Sequence, residues 1–160
     1  MVLAKLNLLH LLKLLYGQVH FTPAVYAEVV SEGVRLGYDD AHTLQRFFAL
    51  EHWTATATPS IPLELAALRL DRGERESIAL ALALKGVLLM DEERGRQAAR
   101  QRGLNVHGTL GVLIQAYRSG YIGAEQLRFY FGQIEEQSDI WISPALCRRL
   151  LSETLGVIVD

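Results

Sequence analysis

Residues 78–91, IALALALKGVLLMD, constrain the fold more than any other stretch of the chain. The alternating Ala/Leu run is apolar around nearly its whole circumference, which places that helix inside the protein. Gly86 is expected to end it. Val87 to Met90 is too short for a second helix and suits a strand buried on both faces. The apolar pattern stops at Asp91. Just upstream, Asp71-Arg72-Gly73-Glu74 has the spacing of a capping box, a strong local signal for the start of the buried helix.

The rest of the chain alternates in the same way. A leucine-rich helix is expected over 2–15, ended by Gly17, and a short strand over Val19–Phe21. Thr22-Pro23 reads as a helix start, with a hydroxyl N-cap and proline in the first turn, for a helix to Leu36. Further helices are expected over 40–51 and, after Pro59 and Pro62, to about Leu70, with a β-leaning stretch at Trp53–Thr58 between them. Beyond Asp91 comes a polar helix (EERGRQAARQR), then a strand at Leu104–Val106. Helices follow over 110–119 with Thr109 as cap, over 124–137, and from Ser143-Pro144 to about Leu155. This order predicts an α/β domain around a mainly parallel sheet, with sites at the carboxyl ends of its strands. A length of 160 residues, 50% of them hydrophobic, suits one domain spanning 1–160.

Composition removes several function classes. The single cysteine, Cys147, excludes an intramolecular disulfide framework and a cysteine-rich zinc site, and fits a reducing cytoplasm. A formal charge of −2 excludes a globally cationic nucleic-acid binder but not a local basic patch. The opening MVLAKLNLLHLLKLLY has the look of a targeting segment. Asn7, His10 and Lys13 interrupt it, however, and it is short of the ~20 apolar residues of a membrane span, so it reads as a buried helix. The five histidines have no metal-ligand spacing. There is no phosphate-cradling glycine motif and no G-x-S-x-G elbow.

Carboxylates remain. Asp91 ends a strand and is read as a site residue, as the N-cap of the next helix, or as both. Glu74 and Glu76 lie in the first turn of the buried helix, two residues and therefore about 200° apart, so one of them faces any shared site; Glu76 is favoured. Glu28 flanks the apolar stripe of its helix. Clustered oxygen ligands without histidine or cysteine point to Mg²⁺ or Mn²⁺, ions that support water activation and phosphodiester displacement. Of the 16 basic residues 13 are arginine, and seven of those lie between Arg69 and Arg102. Arginine grips phosphate bidentately, so Arg94 and Arg96 are candidates for steering a nucleic-acid backbone, although the same run also reads as a solvated helix face.

The stretch LDRGERESIALALALKGVLLMDEERGRQAARQRGLNVHGTLGVL resembles the PIN-like nucleases, in particular a small prokaryotic subfamily related to toxin–antitoxin ribonucleases. LAKLNLLHLLKLLYGQVHFTPAVYAEV is similar to that subfamily's N-terminal half. The resemblance implies a three-layer α/β/α domain with a short, mainly parallel sheet, whose acids bind Mg²⁺ or Mn²⁺ and cleave single-stranded RNA, with an antitoxin protein as a partner. It places Glu28, Glu74 or Glu76, and Asp91 among the acids, and Thr109 at a helix start near the site. Such domains open on a central strand ending in Asp, whereas this sequence begins inside the helix that follows it. The C-terminal Val157-Ile158-Val159-Asp160 is the candidate replacement, supplying strand and acid as in a circular permutation. The competing expectation is a non-catalytic PIN-like binding or oligomerisation domain that lacks the first acid. A homo-oligomer is expected from the leucine-rich first helix and the FYF run at Phe129–Phe131.

Overall fold

The computed structural model describes residues 2–156. In chain order they form α1 (Val2–Lys5), α2 (His10–Tyr16), α3 (Pro23–Tyr26), a π-helical stretch (Ala27–Glu32), α4 (Gly33–Arg35), α5 (Asp39–Leu50), α6 (Leu63–Ala66), α7 (Arg72–Leu84), β1 (Leu88–Leu89), α8 (Glu93–Arg100), β2 (Val106–His107), α9 (Thr109–Arg118), α10 (Ala124–Glu136) and α11 (Pro144–Leu155). The architecture is mostly helical α/β, with a two-stranded parallel sheet consistent with a PIN-like α/β/α domain. None of the described helices is long and apolar enough to cross a membrane.

The helix starts form as local chemistry dictates. Asp71 Oδ1 accepts from the Glu74 N–H at 2.7 Å, and Glu74 Oε2 accepts from the Asp71 N–H at 2.9 Å, a reciprocal cap for α7. Thr22 accepts from the Val25 N–H ahead of Pro23, and Ser143 from the Leu146 N–H ahead of Pro144. Over its middle α7 is buried as expected, at Ile78 through Ala81, but its last turn emerges and Leu84 is half-exposed.

β1 and β2 pair in parallel, Leu88 opposite Val106 and Leu89 opposite His107. The Leu88 N–H donates to Asn105 O and the Met90 N–H to His107 O, each at 2.9 Å. Side chains alternate across a strand, and here the alternation separates two cores. Leu88 and Val106 join Leu65, Ile78 and Ala99 on one face. Leu89 packs on the other, against a larger cluster that includes Leu11, Leu44, Leu113 and Phe131. The strand expected over Val87–Met90 is shortened to two residues and packs on both faces, but only Leu88 is fully buried, Leu89 is partly buried and Val87 is exposed.

Other expectations change. The first helix is two helices, because Asn7 takes a left-handed conformation (φ 57°) between them; asparagine tolerates that region better than most residues. Leu3, Leu8, Leu9, Leu11 and Leu12 are buried in the core, whereas Leu14 is half-exposed. Val19–Phe21 and Trp53–Thr58 form no strand; one backbone hydrogen bond, from the Thr56 N–H to Phe21 O at 2.8 Å, joins them. The helix expected to end near Leu70 is only α6. The left-handed cap of α7 falls on Lys85 (φ 52°), one residue before Gly86. Among the described residues β1 pairs with β2 alone; the proposed central strand Val157–Val159, with Asp160, lies outside them.

Candidate functional site

The candidate acids fall around the carboxyl end of β1 and the start of α7, in three different situations. Asp91 follows β1 and binds forward to α9. Its Oδ1 accepts from the Thr109 N–H and its Oδ2 from the Thr109 hydroxyl, both at 2.7 Å. Asp91 therefore caps α9 from a distance of 18 residues, and not the helix that follows it, whose N-cap is Glu92 without a side-chain bond. Thr109 is the first helical residue, buried, and not the cap as expected; the N-cap position is Gly108. A Cβ on Gly108 would lie 2.9 Å from Asp91 Oδ1 and 2.8 Å from Arg96 Nη1, so a larger residue would displace these side-chain ends. The Asp91 carboxylate and the Arg96 guanidinium thus share one cradle, which any larger residue would fill.

The charges of Glu28 and Glu74 interact near the start of α7. Glu28 is exposed on the π-helical stretch, and its Oε2 would lie 2.9 Å from a Cβ on Gly73. Burial raises the Glu28 pKa, and the negative charges of Asp71 and Glu74 raise it further. Glu74 is raised as well, first by burial, then by Asp71 and Glu92, against the lowering effects of its bond from the Asp71 N–H and of Arg94. Its two oxygens differ. Oε2 is held in the capping box, whereas Oε1 is buried with no hydrogen-bond partner, beside Gly95 and Met90. An unsatisfied buried carboxylate oxygen is costly, and a cation or a proton relieves it.

Glu76 does something else. It is 4% exposed and fully engaged. Thr58 Oγ1 donates to its Oε2 at 2.9 Å, Arg72 Nε donates to its Oε1 at 2.7 Å, and the Thr22 hydroxyl bonds to it too. Burial acts to raise its pKa, but the three hydrogen bonds and the Arg72 charge outweigh burial and leave it lowered. Glu76 thereby ties the start of α3 and the irregular 53–61 segment to α7. A depressed carboxylate contributes stability that is complete above its ordinary pKa of 4.5 and lost as pH falls through the folded value. The stability gap between wild type and Glu76→Gln, measured by urea unfolding, is expected to be constant at neutral pH and to shrink below pH 4.5. A gap that persists unchanged to about pH 3 contradicts that role.

Arg94 is exposed and acts on Glu74 through its charge. Arg96 is half-buried; Glu93 lies 3.8 Å from its Nε, which makes no hydrogen bond. Asp160 lies outside the described residues. Asp71 was legible only as a cap, yet its charge joins Glu28 and Glu74. Cys147 is buried, its thiol pushed up to about 11 by burial and then by Glu135. Among the described residues no three His, Cys, Asp or Glu side chains converge on one point. Mg²⁺ is commonly held by one or two carboxylates, with water and substrate phosphates completing its shell. The orphaned Glu74 Oε1 beside Gly95, with the Glu28 carboxylate over Gly73, fits such an ion.

These features define an α/β domain with Asp91 at the carboxyl end of a parallel strand and further acids at the start of α7, the edge at which open α/β sheets place their ligands. The chain belongs to the PIN domain family, whose model matches residues 1–155. That family is nuclease-like in general and generally depends on divalent metal ions. Comparison with curated proteins found no match, and comparison with solved structures found none.

Proposed function

We propose that this PIN domain is a ribonuclease dependent on Mg²⁺ or Mn²⁺, with Glu28, Glu74 and Asp91 as its working acids. The observation that carries the reading is the orphaned Glu74 Oε1, buried beside Gly95 without a hydrogen-bond partner, with Glu28 close enough for the Glu74 charge to raise its pKa. Carboxylates forced together favour protonation until a cation neutralises them. A divalent ion there would polarise water for attack on phosphorus and stabilise charge on the phosphate. The capping box fixes the orientation of Glu74 by holding Oε2, which leaves Oε1 as the ligand oxygen. Glu28 closes over Gly73 from the π-helical stretch. Asp91, fixed by Thr109, keeps the third carboxylate at the strand end, and Arg96 beside it offers a positive charge to the substrate's phosphate. In a toxin role the protein partner would be an antitoxin that blocks this edge.

Mn²⁺ calorimetry with a parallel thermal melt tests the reading. Wild type is expected to bind and to be stabilised by the ion. Glu28→Gln is expected to melt higher than wild type in EDTA, because an ionised Glu28 is disfavoured in the folded state, and to lose most of the Mn²⁺ stabilisation. Functional carboxylates commonly carry such a stability penalty. An absence of Mn²⁺ binding by wild type overturns the proposal. It would favour the non-catalytic binding domain, a reading supported by the complete engagement of Asp91 and Glu76 in structural hydrogen bonds.

A further inference from the structure

A groove of about 770 Å³ opens beside Asp91 and runs between α9 and α11. Three arginines line it. Arg96 stands next to Asp91, Arg118 ends α9, and Arg149 projects from α11. Two of them are incompletely satisfied. Arg96 Nε has no hydrogen-bond partner, and Arg118 makes no ion pair among the described residues. Arg149 reaches Glu153 only at 3.9 Å. At the rim stands Trp141, 96% exposed, the most exposed large hydrophobic side chain among the described residues. It makes no ring contact there, whereas the other tryptophan, Trp53, packs on Phe47 and Phe48. A bare indole costs solvation and has no packing role here. Near guanidinium groups it has the two faces of a base-stacking platform.

We infer that this groove is the track for single-stranded RNA, with Trp141 stacking on a base and Arg118 and Arg149 holding backbone phosphates as the strand leads to Asp91. The inference deepens the ribonuclease reading and rests on it for the identity of the polymer. The chemistry sorts into sequence-tolerant stacking and phosphate contact, because the lining has a π face and guanidinium forks. α9 supplies the length: its ten residues span about 15 Å at ~1.5 Å per residue, room for a few nucleotides between Arg96 and Arg118. The acids Glu93 and Glu153 also line the groove and face Arg96 and Arg149, so phosphate binding there competes with those ion pairs and is expected to be salt-sensitive.

The test is fluorescence anisotropy of a labelled single-stranded oligouridylate in EDTA, so that binding is read without cleavage. Trp141→Ala is expected to weaken binding on the order of tenfold with its salt slope unchanged, and Trp141→Phe to restore most of the loss. Arg118→Gln is expected to weaken binding and to reduce the slope of log affinity against log salt by about 0.7. Trp141 is exposed and Arg118 makes no ion pair among the described residues, so both variants should melt like wild type. Wild-type affinity in Trp141→Ala overturns the inference, as does failure of wild type to bind the oligonucleotide. Loss of binding to a protein partner alone, with RNA binding intact, would reassign the groove to that partner. A protein that binds RNA through Trp141 but never cleaves it would sink the ribonuclease reading and leave the groove standing.

Discussion

Asp91→Ala is expected to lower RNA cleavage on the order of 10²-fold or more and to weaken the fold by about 0.5–2 kcal/mol. The two losses have different origins. The carboxylate at the end of β1 is the charge that the proposed chemistry needs. Its two oxygens also satisfy the N–H and hydroxyl of Thr109 at 2.7 Å, so alanine uncaps α9 and leaves a buried hydroxyl short of a partner. Asp91→Asn separates the two effects. Its remaining carbonyl oxygen can still accept from the Thr109 N–H, so the melting temperature falls less than with alanine, while the charge is lost in full. Cleavage of a single-stranded RNA in Mn²⁺ is therefore expected to drop about as far in Asp91→Asn as in Asp91→Ala. Wild-type cleavage by Asp91→Asn would show Asp91 to be a helix cap and nothing more.

The largest stability effect is expected at Phe131. The ring is 0% exposed and sits on α10 in the larger core with Leu113, Leu127 and Ile134. Phe131→Ala removes a large apolar surface and leaves a cavity that rigid neighbours fill poorly, a cost of about 3–5 kcal/mol. For a chain of this size that lowers the melting temperature by roughly 6–20 °C. Phe129, two residues earlier, supplies the control: it is 60% exposed, and its alanine variant should stay within about 0.5 kcal/mol of wild type. Comparable losses at the two positions would mean that Phe129 is covered in solution, as in the homo-oligomer that the FYF run suggested.

The parts of this fold that were legible in the sequence are those decided within a few residues. The Asp71–Glu74 box, Thr22-Pro23 and Ser143-Pro144 form because donor and acceptor are neighbours in the chain. Leu88–Leu89 was legible because a strand with two buried faces leaves a run with no polar residue. Val19–Phe21 and Trp53–Thr58 were misread for the opposite reason. Strand propensity reports how well a residue suits a paired, half-buried surface, and pairing is settled elsewhere in the chain. The site divides the same way. Asp91 was legible from the abrupt end of an apolar run, but its partner Thr109 is 18 residues distant. Glu76 was favoured over Glu74 because the buried helix follows it directly. Its burial is real, yet its partners Thr22 and Thr58 come from segments with no local signal, and they make it a tie between segments. Trp141 and Arg118 carried no motif at all; only the fold brings them to one groove.

The π-helical stretch from Ala27 to Glu32 gives this chain a tolerance for length. A π turn holds about one residue more than an α turn of the same rise, and such bulges concentrate where function is carried. Loss of a single codon here would not sever the helix; it would regularise it. The same loss would turn the side chains within the stretch while the flanking helix keeps its aim, and so would move Glu28 off Gly73. Among descendants of this sequence, one-residue gaps in this stretch would therefore mark lineages that keep the scaffold and abandon the chemistry.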